Sequence, residues 1–184
     1  MALFGHRHTP FATASDEAAQ CSITFGAPSK TFNIAGIVSS YCVVPNAELR
    51  QKFFSWLEAN ELSDPPMFSP IATIAAFTKG NAWREAMLRY VEDNVRFVED
   101  YCRQHLPAIV PVRPEASFLV WLNCKGLGLN HNQLINLFTE KAHLALNDGE
   151  MFGPGGEGFM RLNVGCPRAK LKTALDLLVQ ALQK

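Results

Sequence analysis

Two cations stand in sequence surroundings that could do chemistry. Lys30 lies in SITFGAPSKTFNIAGIVSS, residues 22–40, among small, apolar and hydroxyl side chains, with no other Lys or Arg between Arg7 and Arg50. Asp16, Glu17 and Glu48 are the only acids between residues 8 and 49. Burying such an unpaired ammonium disfavours its charged form, and the neutral amine is the nucleophile that attacks a carbonyl carbon to form a Schiff base. The competing reading is a loop lysine that snorkels to water, and the residue types alone favour it. Arg161 lies in GEGFMRLNVGCPR, residues 156–168. On a strand, Arg161 and Asn163 share one face while Met160, Leu162 and Val164 take the other. A guanidinium fixed on a strand can hold a carboxylate through two parallel hydrogen bonds, as in the anchoring of an amino acid or keto acid. A solvent-facing arginine on a half-buried strand is the plainer alternative.

Other candidates are weaker. Gly153, Gly155, Gly156 and Gly158 resemble a phosphate loop in composition, but such loops lead into a helix N-terminus and this one leads into a strand. A hairpin, or a bend near a ligand, is the expected form. His6 and His8 alternate as strand neighbours do, with no Cys, Asp or Glu close enough in sequence to complete a metal set, so no metal is expected. No G-x-S-x-G supports nucleophilic serine chemistry.

The elements that must position these residues alternate along the chain. Residues 22–26 and 38–44 read as short buried strands. Asn46 is placed to cap a helix through Ala59, with Leu49, Phe53 and Trp56 or Leu57 on one face. SDPP at 63–66 breaks the chain, and the uncharged run 69–78 predicts a helix buried on most sides. A longer helix runs from about Ala82 to His105, with Met87, Val91, Val95, Val98 and Cys102 as its apolar stripe. Strands follow at 109–112 and 117–124, a helix at NQLINLFTEKA, and strands at LALND and FMRLNVG. The chain closes on an amphipathic helix carrying Leu171, Leu175, Leu178 and Leu182. This order predicts an α/β part followed by a smaller α+β unit.

Composition bounds the rest. The 184 residues suit one domain, or one and part of another. Lys plus Arg balance Asp plus Glu at 17 each, so no basic field points to nucleic acid or an anionic membrane. Neither a bilayer-spanning run nor a secretory leader is visible. Five singly scattered cysteines argue against a disulfide framework and favour a reducing compartment, the cytoplasm by default. The opening ALFGHRHTPF is apolar and aromatic from the start, as though cut from something longer.

Taken together, GAPSKTFNIAG and GFMRLNVGCPR resemble the cofactor-lysine segment and the carboxylate-binding strand of the pyridoxal-phosphate (PLP) enzymes of fold type I. The similarity is to the branch of cystathionine β-lyases and C–S lyases of the MalY/PatB type. HRHTPFATAS, SSYCVVPN and FGPGGEGF resemble its connecting segments. The resemblance implies an α/β chain that is the C-terminal part of such an enzyme. Residues 1–85 would end the cofactor-binding large domain, and residues 86–184 would form a small α+β domain. It implies Lys30 as the catalytic residue that holds pyridoxal 5'-phosphate as a Schiff base, with Ser29 as a cofactor contact and Arg161 binding the substrate α-carboxylate. Ala27 stands where many related aminotransferases carry a phosphate-contacting serine, and Val38 where they often carry an arginine. Both departures fit the lyase branch. The implied reaction is β-elimination on a small-molecule sulfur amino acid by a homodimer. Transamination, and an inert fragment or binding remnant, are the alternatives.

Overall fold

Local chemistry starts and stops the elements over residues 1–183, which the computed structural model describes. They gather into two units, one spanning Arg7–Met87 and the other formed by Met1–His6 with the chain from Leu88 onward.

In the first unit, helix α1 (Asp16–Gln20) begins at Ser15, whose side chain accepts from the Ala18 amide while Asp16 and Glu17 fill the first turn. The sequence reading does not anticipate this short helix. Strands β1 (Thr24–Gly26) and β2 (Tyr41–Val43) pair antiparallel, with Phe25 opposite Cys42. They are shorter than expected and are not buried: Phe25, Tyr41 and Val43 are all exposed. A two-stranded ribbon has no second layer of its own to cover both faces. Helix α2 (Ala47–Ala59) begins at Asn46, which accepts from the Leu49 amide at 3.0 Å, as the sequence predicts. Leu49, Phe53 and Leu57 form its covered face, and Trp56 is exposed.

Helix α3 (Phe68–Lys79) corrects the expectation of a helix buried on most sides. Its covered face is made of small residues, Ser69, Ala72, Thr73 and Ala76, while Ile71, Ile74 and Phe77 are exposed. Hydroxyls on the covered face are used by the preceding loop. Ser69 Oγ donates to the Ile37 carbonyl at 2.6 Å and to the Val38 carbonyl at 3.2 Å, and Thr73 Oγ1 lies 2.6 Å from Ser39 Oγ. An apolar environment for larger side chains would displace these bonds.

Helix α4 (Asn81–His105) opens in the first unit and continues into the second. Its buried positions are Val91, Asn94, Val95, Val98 and Cys102, so the periodic stripe holds with one polar residue inside it. The second unit carries a four-stranded antiparallel sheet in the order β3-β4-β6-β5. The strands are β3 (Val110–Val112), β4 (Leu119–Asn123), β5 (Asn147–Asp148) and β6 (Phe159–Asn163). Alternation along β4 and β6 puts Val120, Leu122, Met160 and Leu162 into the core and Trp121 and Arg161, directly paired, on the other face. Helix α5 (His131–Asn136) starts with a capping box between Asn130 and Gln133, then widens into a π turn over Leu137–Lys141 where the sequence predicts a continuous helix. That wider turn coincides with the burial of Leu137 and Phe138. Helix α6 (Arg168–Leu182) buries Leu171, Leu175, Leu178 and Ala181, whereas the expected Leu182 is exposed.

The first six residues are tied to this second unit. Leu3 donates to the Glu115 carbonyl, Ser117 to the Met1 carbonyl, and Phe4 to Glu92 Oε1 at 2.7 Å, with Leu3 only 1% exposed.

Asn94 is fully buried and ties α4 to the end of the sheet. Its Nδ2 donates to the carbonyls of Val164 at 2.8 Å and Cys166 at 2.9 Å, and its Oδ1 accepts from Arg168 Nε at 2.7 Å. Asn94→Ala leaves buried acceptors without donors and is expected to cost about 2–4 kcal/mol, read from the urea midpoint. A loss below about 0.5 kcal/mol would contradict this role.

Five free cysteines are present, and burial pushes the thiols of Cys102 and Cys124 up from 9.0 to about 12. With rising pH the unfolded chain gives up these protons first, so stability is whole below about 9 and is lost between about 9 and 12. Each thiol is expected to steepen that decline by about 1.4 kcal/mol per pH unit. Cys102→Ala should flatten the alkaline slope of denaturation free energy, and an unchanged slope would refute the assignment.

Candidate functional site

The sequence SKTFN folds into a hydrogen-bonded turn that carries Lys30. Phe32 N donates to the Pro28 carbonyl at 2.9 Å and Ile34 N to the Ser29 carbonyl at 3.0 Å. Asn33 ends the turn with φ 54°, a left-handed conformation that asparagine tolerates and that closes helix C-termini in this bonding pattern. Lys30 is exposed, as the residue types alone favour, because no segment of the described chain lies over it. The scarcity of nearby carboxylates does hold: Lys30 forms no ion pair and no hydrogen bond among the described residues. Ser29 beside it is partly covered, and its hydroxyl has no protein partner among the described residues.

Eight residues on, Val38 also adopts a left-handed backbone, φ 50°. For a β-branched residue this conformation is strained, at a cost of order 1–3 kcal/mol. The Ser69 hydroxyl, which bonds the carbonyls of Ile37 and Val38, holds the strained backbone in place. The loop that carries Lys30 is thereby closed at its far end by α3.

Arg161 lies in the other unit, at the centre of β6, on the sheet face away from the core. Its neighbours across the sheet are Trp121 on β4 and Asn147 on β5. Nη2 donates to Asn147 Oδ1 at 2.7 Å, and the guanidinium carbon sits 4.5 Å from the centre of the Phe152 ring. Nε is buried and has no hydrogen-bond acceptor; it is the only such side-chain nitrogen or oxygen among the described residues. No carboxylate of the described residues pairs with this arginine. The sequence alternative of a plain solvent-facing arginine does not describe this environment, in which a partly buried cation is held by neutral groups alone.

The glycine-rich run 153–158 forms part of the connection from β5 to β6, a hairpin as its lead into a strand predicts. His6 Nδ1 lies 3.8 Å from Glu115 Oε2, and no group of three or more His, Cys, Asp or Glu side chains is placed to hold a metal ion among the described residues. Likewise, no described helix is long and apolar enough to cross a membrane. Asn147 and Phe152 have no signal in the sequence reading. The register of β5 on β6 brings Asn147 to Arg161, and the turn after β5 brings Phe152.

No family model matches the chain. Cystathionine β-lyase PatB of Bacillus subtilis is 41% identical over 180 residues, which are 98% of this chain and 46% of PatB. Protein MalY of Escherichia coli is 32% identical over 84% of this chain and 40% of its own length. Among solved structures, cystalysin of Treponema denticola, described as containing a pyridoxal 5'-phosphate cofactor, superposes with a TM-score of 0.94 at 28% identity. That match covers 99% of this chain and 46% of cystalysin. The chain thus spans about half the length of the relatives it matches. Its sequence and its mixed helix–strand architecture agree: the chain has the fold of the C-terminal part of the fold type I PLP enzymes and is similar in sequence to the MalY/PatB branch of cystathionine β-lyases and C–S lyases.

Proposed function

We propose that this chain is the C-terminal part of a PLP-dependent lyase that cleaves the C–S bond of cystathionine or a related sulfur amino acid, giving a thiol, pyruvate and ammonia. Residues 1–85 end the cofactor-binding domain and residues 86–184 form the small domain of a cytoplasmic homodimer. The observation that carries the reading is Arg161: a guanidinium on the open face of β6 with no carboxylate partner among the described residues, in a segment that resembles the carboxylate-binding strand of this branch. Such a cation suits the α-carboxylate of an amino acid.

The residues present also fit the cofactor. Lys30 offers an exposed amine unpaired with any carboxylate of the described chain, and Ser29 offers a free hydroxyl beside it. Pyridoxal phosphate, when bound, supplies the electron sink that stabilises negative charge at the substrate Cα. Lys30 would hold the cofactor through its Nζ. The same Nζ, as a neutral amine, would receive the Cα proton as general base. Arg161 would hold the substrate carboxylate, and loss of the β-thiolate would complete the elimination.

A product assay tests the reaction. With cystathionine, the lyase reading expects homocysteine, pyruvate and free ammonia in equal amounts. A keto acid matching the substrate, with the amino group retained on the cofactor, would replace it with transamination. A lysine adduct that forms on the 184-residue chain without release of thiol would make the isolated chain an inert part of the site.

A further inference from the structure

The segment MFGPGGEGF makes a tight return, and the return delivers one aromatic ring to Arg161. Its first turn, Gly149–Phe152, begins at Asp148, whose carboxylate accepts from the Glu150 amide at 3.1 Å. The backbones of Gly149 and Gly156 then cross so closely that a Cβ on either would lie 2.1 Å from the carbonyl oxygen of the other. Only glycine fits at both points. The loop so closed sets Phe152 against the guanidinium at 4.5 Å and edge-on to Trp121 at 5.3 Å. A ring that is 47% exposed gains little from burial in this place, so its contact with a cation needs another account.

Asn147 completes the arrangement. It is the residue on β5 directly across from Arg161, and its Oδ1 takes the Nη2 hydrogen while its amide nitrogen reaches Met151 Sδ at 3.8 Å. A carboxylate at this position would fix the arginine more strongly but would also neutralise it. An amide and an aromatic face orient the cation and leave its full charge for a ligand.

We infer that Asn147 and Phe152 are positioning residues for Arg161, holding its guanidinium in one orientation in advance so that the substrate α-carboxylate meets donors already aligned. The inference rests on Arg161 being the carboxylate anchor. An arginine side chain otherwise loses considerable rotamer freedom on binding, and a pre-ordered one does not.

Two measurements test it. In the PLP-loaded protein that carries this chain, Phe152→Leu and Asn147→Ala are each expected to raise KM for the amino-acid substrate about tenfold with kcat nearly unchanged. Phe152→Tyr, which keeps the aromatic face, should restore the wild-type value. In an Arg161→Ala background neither substitution should add to the loss. If Arg161→Ala itself leaves KM unchanged, the carboxylate-anchor reading fails. If Arg161→Ala raises KM while Phe152→Leu and Asn147→Ala do not, or raise it equally without the arginine, the positioning role fails and the anchor stands. Independently of activity, the Arg161 Nε–Hε NMR signal of the 184-residue chain should be shifted by the ring and slow to exchange with water. Phe152→Leu should abolish both properties while the backbone amide spectrum of the sheet is preserved. An Nε–Hε signal that exchanges as fast in the wild type as in Phe152→Leu would overturn the inference.

Discussion

Lys30→Ala is expected to abolish the borohydride-trapped PLP adduct and to lower C–S lyase turnover by about 10³-fold or more. On the proposed mechanism the substitution removes two functions at once, the amine that holds the cofactor and the base that takes the Cα proton. It should do so without a cost to folding, because the side chain is exposed and makes no hydrogen bond or ion pair among the described residues. The turn that carries it is closed by backbone bonds from Phe32 and Ile34 and by the left-handed Asn33, none of which needs the lysine side chain. A visible absorbance band with PLP should therefore be lost at unchanged thermal stability. An adduct of equal yield in Lys30→Ala would place the cofactor on another lysine and remove the basis of the proposed mechanism.

The second large effect is expected at Arg161. Two charge-assisted hydrogen bonds to a carboxylate contribute about 1.5–3 kcal/mol each, so Arg161→Ala should lower kcat/KM by about 10²–10⁴-fold. Arg161→Lys should recover only part of this, since a lysine ammonium keeps the charge but lacks the planar fork. The specific signature is the substrate dependence. An analogue whose α-carboxylate is replaced by an amide should be turned over almost equally by the wild type and by Arg161→Ala. A penalty of the same size on both substrates would assign Arg161 a structural role. That role is already weakened by its surroundings, because a structural arginine at the centre of a sheet would be expected to satisfy its Nε, and here that donor has no acceptor.

The β-branched, left-handed Val38 deserves comparison with these two residues because it lies on the same loop as Lys30. Its strain is maintained by Ser69 rather than relieved by a glycine. Strained backbone persists where the surrounding structure over-determines it, and α3 supplies that constraint through its small hydroxyl face.

Where the pattern is local, it could be read in the chain. Asn46 caps α2 because an amide side chain one residue before a helix reaches the Leu49 amide wherever it occurs. The alternation of Met160, Arg161, Leu162 and Asn163 assigns Arg161 to the open face of β6 because a strand has a period of two residues. The valines of α4 repeat at helical spacing and are buried as that spacing predicts. The lysine and arginine motifs, and the resemblance they carry, likewise rest on residue order alone.

Tertiary structure decided what depends on neighbours distant in the chain. Apolarity in Ile71, Ile74, Phe77 and Phe25 expresses a preference for cover, yet these residues are exposed, since cover is a property of the surrounding surface and not of the residue. Asn94 reads as an interruption of an apolar stripe until three partners 70 to 74 residues away satisfy it. The environment of Arg161 follows the same logic. Its type and its face are set by its own strand, but whether its charge is neutralised or kept depends on which side chain the pairing of β5 places opposite it. The answer is Asn147, an amide, joined by a phenylalanine that two crossing glycines return to the sheet. Residue order determined that a lysine on a turn and an arginine on a strand exist in this protein. Strand register and loop closure, which act over distances that sequence spacing does not encode, decided that the arginine remains an oriented and uncompensated cation.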